Sequence, residues 1–215
     1  MPMDGSPTGK PLAYGPVGNQ FALPRGAVGR LFGHVMAFFN ADMERAVVDQ
    51  LRLTGDEHVL EIGFGPGVGI ACLAELLPAG FVAGVDPSEV MVEQARRRCR
   101  SAVAEGRVEL RVGCAASLPW PDNRFDKVCA VNNVQLWDAV EPDLGEVRRV
   151  LKDGGDIVIA VHAWAAKEAV LAGAAPGRPL GEALPSILAG VGFHGVRAWR
   201  ARARSGDALY FAARR

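Results

Sequence analysis

The chain has 215 residues, of which 49% are apolar and 22% charged, enough for one globular domain with a buried core. Its 24 basic residues balance its 24 acidic ones, so no net field draws it to nucleic acid or an anionic membrane. No apolar run reaches the roughly 18 residues of a membrane span, and no basic-then-apolar leader opens the chain, so a cytoplasmic protein is expected. The four cysteines (Cys72, Cys99, Cys114, Cys129) form no C-x-x-C pair and the four histidines are scattered. No metal site is therefore expected, and the thiols fit a reducing compartment.

Residues 1–26 carry so many glycines and prolines that a flexible N-terminal segment is expected. Residues 27–53 turn to helical periodicity. Val28, Leu31, Phe32, Val35, Met36 and Phe39 form one apolar face. Val47, Val48, Leu51 and Leu53 form another, after an expected break at Asn40–Asp42. This helical cap belongs with the single domain 27–215. From residue 57, apolar runs alternate with helical patterns. Strands are expected at 57–62, 81–86, 108–112, 125–131 and 155–161. Helices are expected at 68–77, 88–104, 134–138, 141–152 and 180–191, with 163–179 a loop or irregular helix. The alternation gives an α/β fold: an open, mostly parallel sheet with helices on both faces. The last strands, 194–203 and 207–213, are joined only by Ser205-Gly206-Asp207 and must be antiparallel, a C-terminal hairpin. The run Arg96-Arg97-Arg98 with Arg100 reads as the solvated face of its helix, not an RNA site.

The chemistry concentrates at residues 59–70. There the first strand ends in Gly63-Phe64-Gly65-Pro66-Gly67 and a helix begins at once. Glycines let the backbone turn sharply and let a ligand approach. The helix N-terminus beyond them attracts a carboxylate or phosphate. The second strand ends in Asp86, 23 residues after Gly63, where a carboxylate can accept from two ribose hydroxyls, or simply cap the next helix with Ser88. The dinucleotide fingerprint G-x-G-x-x-G fails in all three frames, and no G-K-[ST] follows for a nucleotide P-loop.

What remains is Glu61-x-Gly63-x-Gly65-x-Gly67, which resembles motif I of the class I S-adenosylmethionine (SAM) methyltransferases. Further segments continue the resemblance. Gly113-Cys114-Ala115-Ala116-Ser117-Leu118-Pro119 is similar to the family's G-D-A-x-x-L-P, with Cys114 in place of Asp. Phe125–Val131 is similar to its fourth strand, and Glu146–Gly155 to its E-x-x-R-V-L-K-P-G-G, with Asp153 in place of Pro. The resemblance covers about residues 57–161 and is nearest to small-molecule enzymes of the ubiquinone/menaquinone-methyltransferase-like type. It implies a seven-stranded Rossmann-like sheet, SAM as cofactor and a small-molecule acceptor, with a homodimer left open.

The resemblance also implies a site. Gly63, Phe64, Gly65 and Gly67 would cradle the methionine part, with Glu61 at its ammonium. Asp86, with Pro87 beside it, would hold the ribose, and Cys114 and Ala115 would flank the adenine. Asn132, Asn133, Gln135 and Trp137 would follow at the ammonium or the acceptor pocket. His162 directly follows the fifth strand. Its ordinary pKa near 6.5 suits a general base, though a pocket wall without chemistry is the plainer alternative. Trp164, His34 and Tyr14 are secondary candidates around the pocket. Two competing functions stand beside transfer: a SAM-binding module without it, and a nicotinamide-linked reductase. The reductase lacks the third glycine and any Tyr-x-x-x-Lys pair.

Overall fold

The computed structural model describes residues 26–169 and 177–215, with side chains from residue 38 onward. Seven strands form one sheet: β1 (His58–Ile62), β2 (Phe81–Asp86), β3 (Val108–Val112), β4 (Phe125–Val131), β5 (Leu151–His162), β6 (His194–Ala203) and β7 (Gly206–Arg214). Their order is β3-β2-β1-β4-β5-β7-β6. The first five strands pair in parallel, and β7 lies antiparallel to both β5 and β6. The order reverses between β1 and β4, and an open α/β sheet binds ligands at the carboxyl ends of such a pair.

The central strands are apolar on both faces because helices cover both. On one face Leu60, Ile62, Val128, Ile157 and Ile159 pack with α5 (Val140–Val150), α6 (Ala163–Glu168) and α7 (Leu180–Gly190). On the other, Val59, Val82, Val131, Val158 and Ala160 pack with α1 (Gly26–Leu51), α2 (Val68–Leu76), α3 (Glu89–Arg98) and α4 (Arg100–Ala104). Among the described residues no helix is long and apolar enough to cross a membrane.

Four boundaries differ from expectation. Helix α1 runs unbroken through Asn40–Asp42. The polar side chains there reach outward to tertiary partners instead of capping a new helix: Asn40 meets the His162 ring, and Asp42 accepts from the Arg204 main chain. The helix expected at 88–104 divides at Cys99 into α3 and α4. The one expected at 134–138 is only a 3-10 turn, Val134–Leu136. Strand β5 starts at Leu151, not at residue 155, because the C-terminus pins the intervening turn: Gly154 N donates to Arg215 O at 3.1 Å and Arg215 N to Gly155 O at 2.9 Å. All but the last residue of the segment 1–26 lies outside the described residues, as do Tyr14 and the His34 side chain.

Strand β6 forms an outer rim. Arg197, Arg200 and Arg202 are exposed along it, Trp199 stacks on Tyr210 at 5.4 Å, and a bulge displaces the pairing between His194 and Arg197.

Candidate active site

The glycine turn between β1 and α2 is held from below. Gly63 N donates to Val85 O at 2.7 Å, and Asp86 grips the turn from the neighbouring strand. One Asp86 oxygen accepts from Gly65 N at 2.8 Å and the other from Ser88 N at 2.9 Å, so this carboxylate ties the loop to the start of α3. Burial pushes its carboxyl up to about 6, against the lowering effect of those two bonds. Pro87 is exposed beside it.

Gly67 has φ of 79°, and a Cβ there would lie 2.6 Å from the Ala95 Cβ of α3. Gly67→Ala is expected to lower stability by about 2–3 kcal/mol, from strained backbone plus overpacking, read as a lower urea midpoint. An unmoved midpoint would show that α3 yields. A Cβ on Gly65 would meet nothing within 4 Å, so this side of the loop is open. Gly67, the N-cap of α2, supplies no side-chain cap, leaving first-turn N–H groups for a ligand. Phe64 behaves differently from its expected role. Its ring is buried toward Gly84, where a Cβ would stand 2.6 Å from it, so only its main chain faces the loop. The left-handed turn at Gly63, with φ of 65°, carries the ring to the face of the sheet opposite Ile62.

Glu61 is 1% exposed and points under α2, where Glu44 of α1, 8% exposed, faces it. The Gly69 backbone makes the room: a Cβ there would stand 2.5 Å from one Glu61 oxygen and 2.7 Å from a Glu44 oxygen. Neither Glu61 oxygen accepts from a donor among the described residues, and the Glu61 carboxyl instead holds a proton toward Glu44. Burial lifts Glu44 to about 8, and burial together with Glu44 lifts Glu61 well above the carboxylate range. Burial thus favours the neutral form of this pair over the charged one. Sequence reasoning passed over Glu44, although it breaks an apolar stripe with Val47, Val48 and Leu51.

At the carboxyl edge of β4, Asn132 adopts φ of 52°, a left-handed conformation uncommon outside glycine. Its main-chain N donates to Ala160 O at 2.7 Å, and its side-chain oxygen accepts from His162 N at 3.4 Å. Gln135 folds back, donating to Asn132 O at 2.9 Å, and its own oxygen is buried with no partner among the described residues. Asn133 and Trp137 are framework rather than pocket lining. Asn133 donates to Ile62 O at 2.7 Å and to Val131 O at 3.1 Å, and accepts from Trp137 Nε1 at 2.9 Å.

His162 ends β5 with its ring buried and its Nδ1 without a partner among the described residues. Burial lowers its pKa below the ordinary value, only partly offset by Asp42. Trp164 stacks on it at 6.1 Å and is 56% exposed. Asn40 and Ser205, which also touch this ring, were beyond sequence reasoning, since 165 positions separate them.

Beside Asp86, Gly113 N donates to Asp86 O at 3.1 Å, bringing exposed Cys114 and buried Ala115 to the same edge. The loop after them is anchored by Glu146, which accepts from Leu118 N at 2.8 Å, and by Arg149, which donates to Trp120 O at 2.9 Å. The other two histidines with described side chains stand apart: His58 opens β1 against Arg124, and His194 opens β6, exposed. Among the described residues no three metal-ligating side chains gather.

Comparison with known proteins agrees with this architecture. The family described as "Methyltransferase domain" matches residues 59–155. YdaC of Bacillus subtilis, an uncharacterized methyltransferase, is 33% identical over 133 residues, covering 60% of this chain and 70% of its own. A demethylmenaquinone methyltransferase of Symbiobacterium thermophilum is 36% identical over 118 residues, covering 53% of this chain but only 46% of its own. The crystal structure of a SAM-dependent methyltransferase from Aquifex aeolicus shares the fold, with a TM-score of 0.63 at 21% identity over 83% of this chain and 91% of that one. The glycine turn, the acid ending β2, the strand order and these relatives agree: the chain belongs to the class I SAM-dependent methyltransferases.

Proposed function

We propose that this methyltransferase acts on a small-molecule acceptor at the carboxyl edge of β4 and β5, next to a SAM site built on the glycine turn. The residues fit the cofactor. Gly65 leaves open the space a side chain would fill, α2 offers uncapped N–H groups, and Asp86 already joins loop to helix. Gly63, Gly65, Gly67 and the Phe64 main chain would hold the aminoacyl part, with Glu61 toward its ammonium. Asp86 and Pro87 would meet the ribose, Cys114 and Ala115 the adenine, and Asn132 and Gln135 the junction with the acceptor. When bound, SAM supplies a methyl group already activated on a sulfonium, so the protein's task is chiefly alignment. His162 would take the proton that a neutral acceptor must lose, a task suited to a buried, neutral imidazole.

The observation that carries this reading is the double grip of Asp86 on Gly65 and Ser88, which places the β1 turn and the β2 acid in one wall. Asp86→Ala is expected to weaken S-adenosylhomocysteine binding by about 1–3 kcal/mol in calorimetry. Because its carboxyl titrates at about 6, affinity should also fall as pH drops through that range, and this component should vanish in Asp86→Asn. Unchanged affinity in Asp86→Ala would reduce the residue to a helix cap.

The relatives include a demethylmenaquinone methyltransferase, and the neutral charge balance favours a small acceptor over nucleic acid. The free thiols of Cys72, Cys99, Cys114 and Cys129 support a cytoplasmic setting. Incubation with methyl-labelled SAM and a metabolite extract should yield a labelled small molecule. No product, with S-adenosylhomocysteine binding intact, would favour a binding module instead.

A further inference from the structure

Two groups touch the same nitrogen of the His162 ring. Asn40 Oδ1 of α1 and Ser205 Oγ of the β6–β7 turn each lie 3.3 Å from Nε2. Ser205 Oγ also donates to Phe39 O at 3.1 Å. A hydroxyl has one proton, and a carbonyl has none to give, so the Ser205 proton lies on the Phe39 side. Oγ therefore meets the ring as an acceptor, and so does the Asn40 oxygen. Two acceptors facing one ring nitrogen require the proton there. In a neutral imidazole the other nitrogen, Nδ1, is then bare. It is buried and has no partner among the described residues. Close by, around Asn132, Gln135 uses its amide N–H on Asn132 O and leaves its oxygen buried and unpaired. The edge thus holds two buried acceptors that have no partner among the described residues, beside the exposed Trp164 stacked on the His162 ring.

We infer that Asn40 and Ser205 are positioning residues that lock His162 as its Nε2–H tautomer, and that the methyl acceptor consequently bears a hydroxyl or amine on a flat apolar body. Such a group donates to His162 Nδ1 or to Gln135 Oε1. A carboxylate or phosphate brings no proton and would leave both acceptors unpaired in a dry site. Discrimination between a donor and its capped analogue is strong where a site's polar groups would otherwise stay buried and unpaired. The inference rests on the reading of this edge as the acceptor site and specifies what it admits.

The test is nitrogen NMR of the full chain carrying nitrogen-15 histidine, near pH 7.5. The His162 pair should show an unprotonated Nδ1 and a protonated Nε2. Asn40→Ala combined with Ser205→Ala should let the tautomers average and should lower the turnover number without changing S-adenosylhomocysteine affinity. Ser205→Thr in the wild-type background, which keeps the hydroxyl, should preserve both signals. A proton found on Nδ1, or signals unmoved in the double variant, overturns the lock. With S-adenosylhomocysteine present, naphthol should bind at least tenfold more tightly than methoxynaphthalene or naphthoate and should shift the Nδ1 signal. Equal binding of the three overturns the acceptor class. Should both results stand while His162→Ala turns over at the parental rate, the base role fails and this inference survives.

Discussion

His162→Ala is expected to slow methyl transfer about 10²- to 10⁴-fold at neutral pH while leaving S-adenosylhomocysteine affinity unchanged. The split follows from position. The ring sits at the end of β5, buried between α1 and the β6–β7 turn, whereas the glycine turn and Asp86 lie on β1 and β2. Burial holds its pKa below the ordinary value, so the base form dominates at pH 7 and is lost only as pH falls through that lowered pKa. At saturating SAM, which removes the Asp86 contribution to binding, the parent's rate should therefore drop in acid, and the variant should stay slow and flat. Parallel pH profiles in the two proteins would remove His162 from the chemistry and leave it a pocket wall.

Glu44→Gln is expected to stabilise the protein at pH 8 and to leave it nearly unchanged at pH 5. In the unfolded chain this carboxyl ionises near its ordinary value of 4.5, but in the folded protein it holds its proton to about 8. Folding therefore binds a proton between those limits. The group's contribution is present in full below about 4.5 and is lost as pH rises toward 8. The span corresponds to a penalty on the order of 4 kcal/mol at the alkaline end. Glutamine keeps a hydrogen-bonding group against Glu61 and has nothing to ionise. Urea unfolding at the two pH values decides the matter. Equal losses of stability in parent and variant would mean that water reaches the pair.

The sheet was legible in the sequence because the central strands are mostly apolar runs with punctuated ends, as in Phe81–Val85 before Asp86, or Val59–Ile62 before Gly63 with Glu61 as its one charged residue. The order of glycines and acids also gave the wall proposed above for the cofactor. What escaped depends on contacts between distant residues. Asn40 and Asp42 look like a helix break until their partners, His162 and Arg204, are seen on other elements. Phe64 sits inside the signature, yet its ring turns away from it, since the left-handed Gly63 before it reverses the face that a strand's alternation would give. Asn133 and Asn132 look equivalent in the sequence. One is consumed in joining β1 to β4, and the other stands strained at the edge. Asp86 supports the start of α3 by accepting from the N-cap residue Ser88, and its proposed hold on the ribose awaits the binding test of Asp86→Ala.

The arginines along β6 carry an implication for self-association. An unpaired border strand invites a foreign segment to anneal, and repeated positive charge discourages it. Two molecules aligned border to border there would bring the strand carrying Arg197, Arg200 and Arg202 against its own copy, positive charge against positive charge. Stacking into fibres by way of that border is therefore disfavoured.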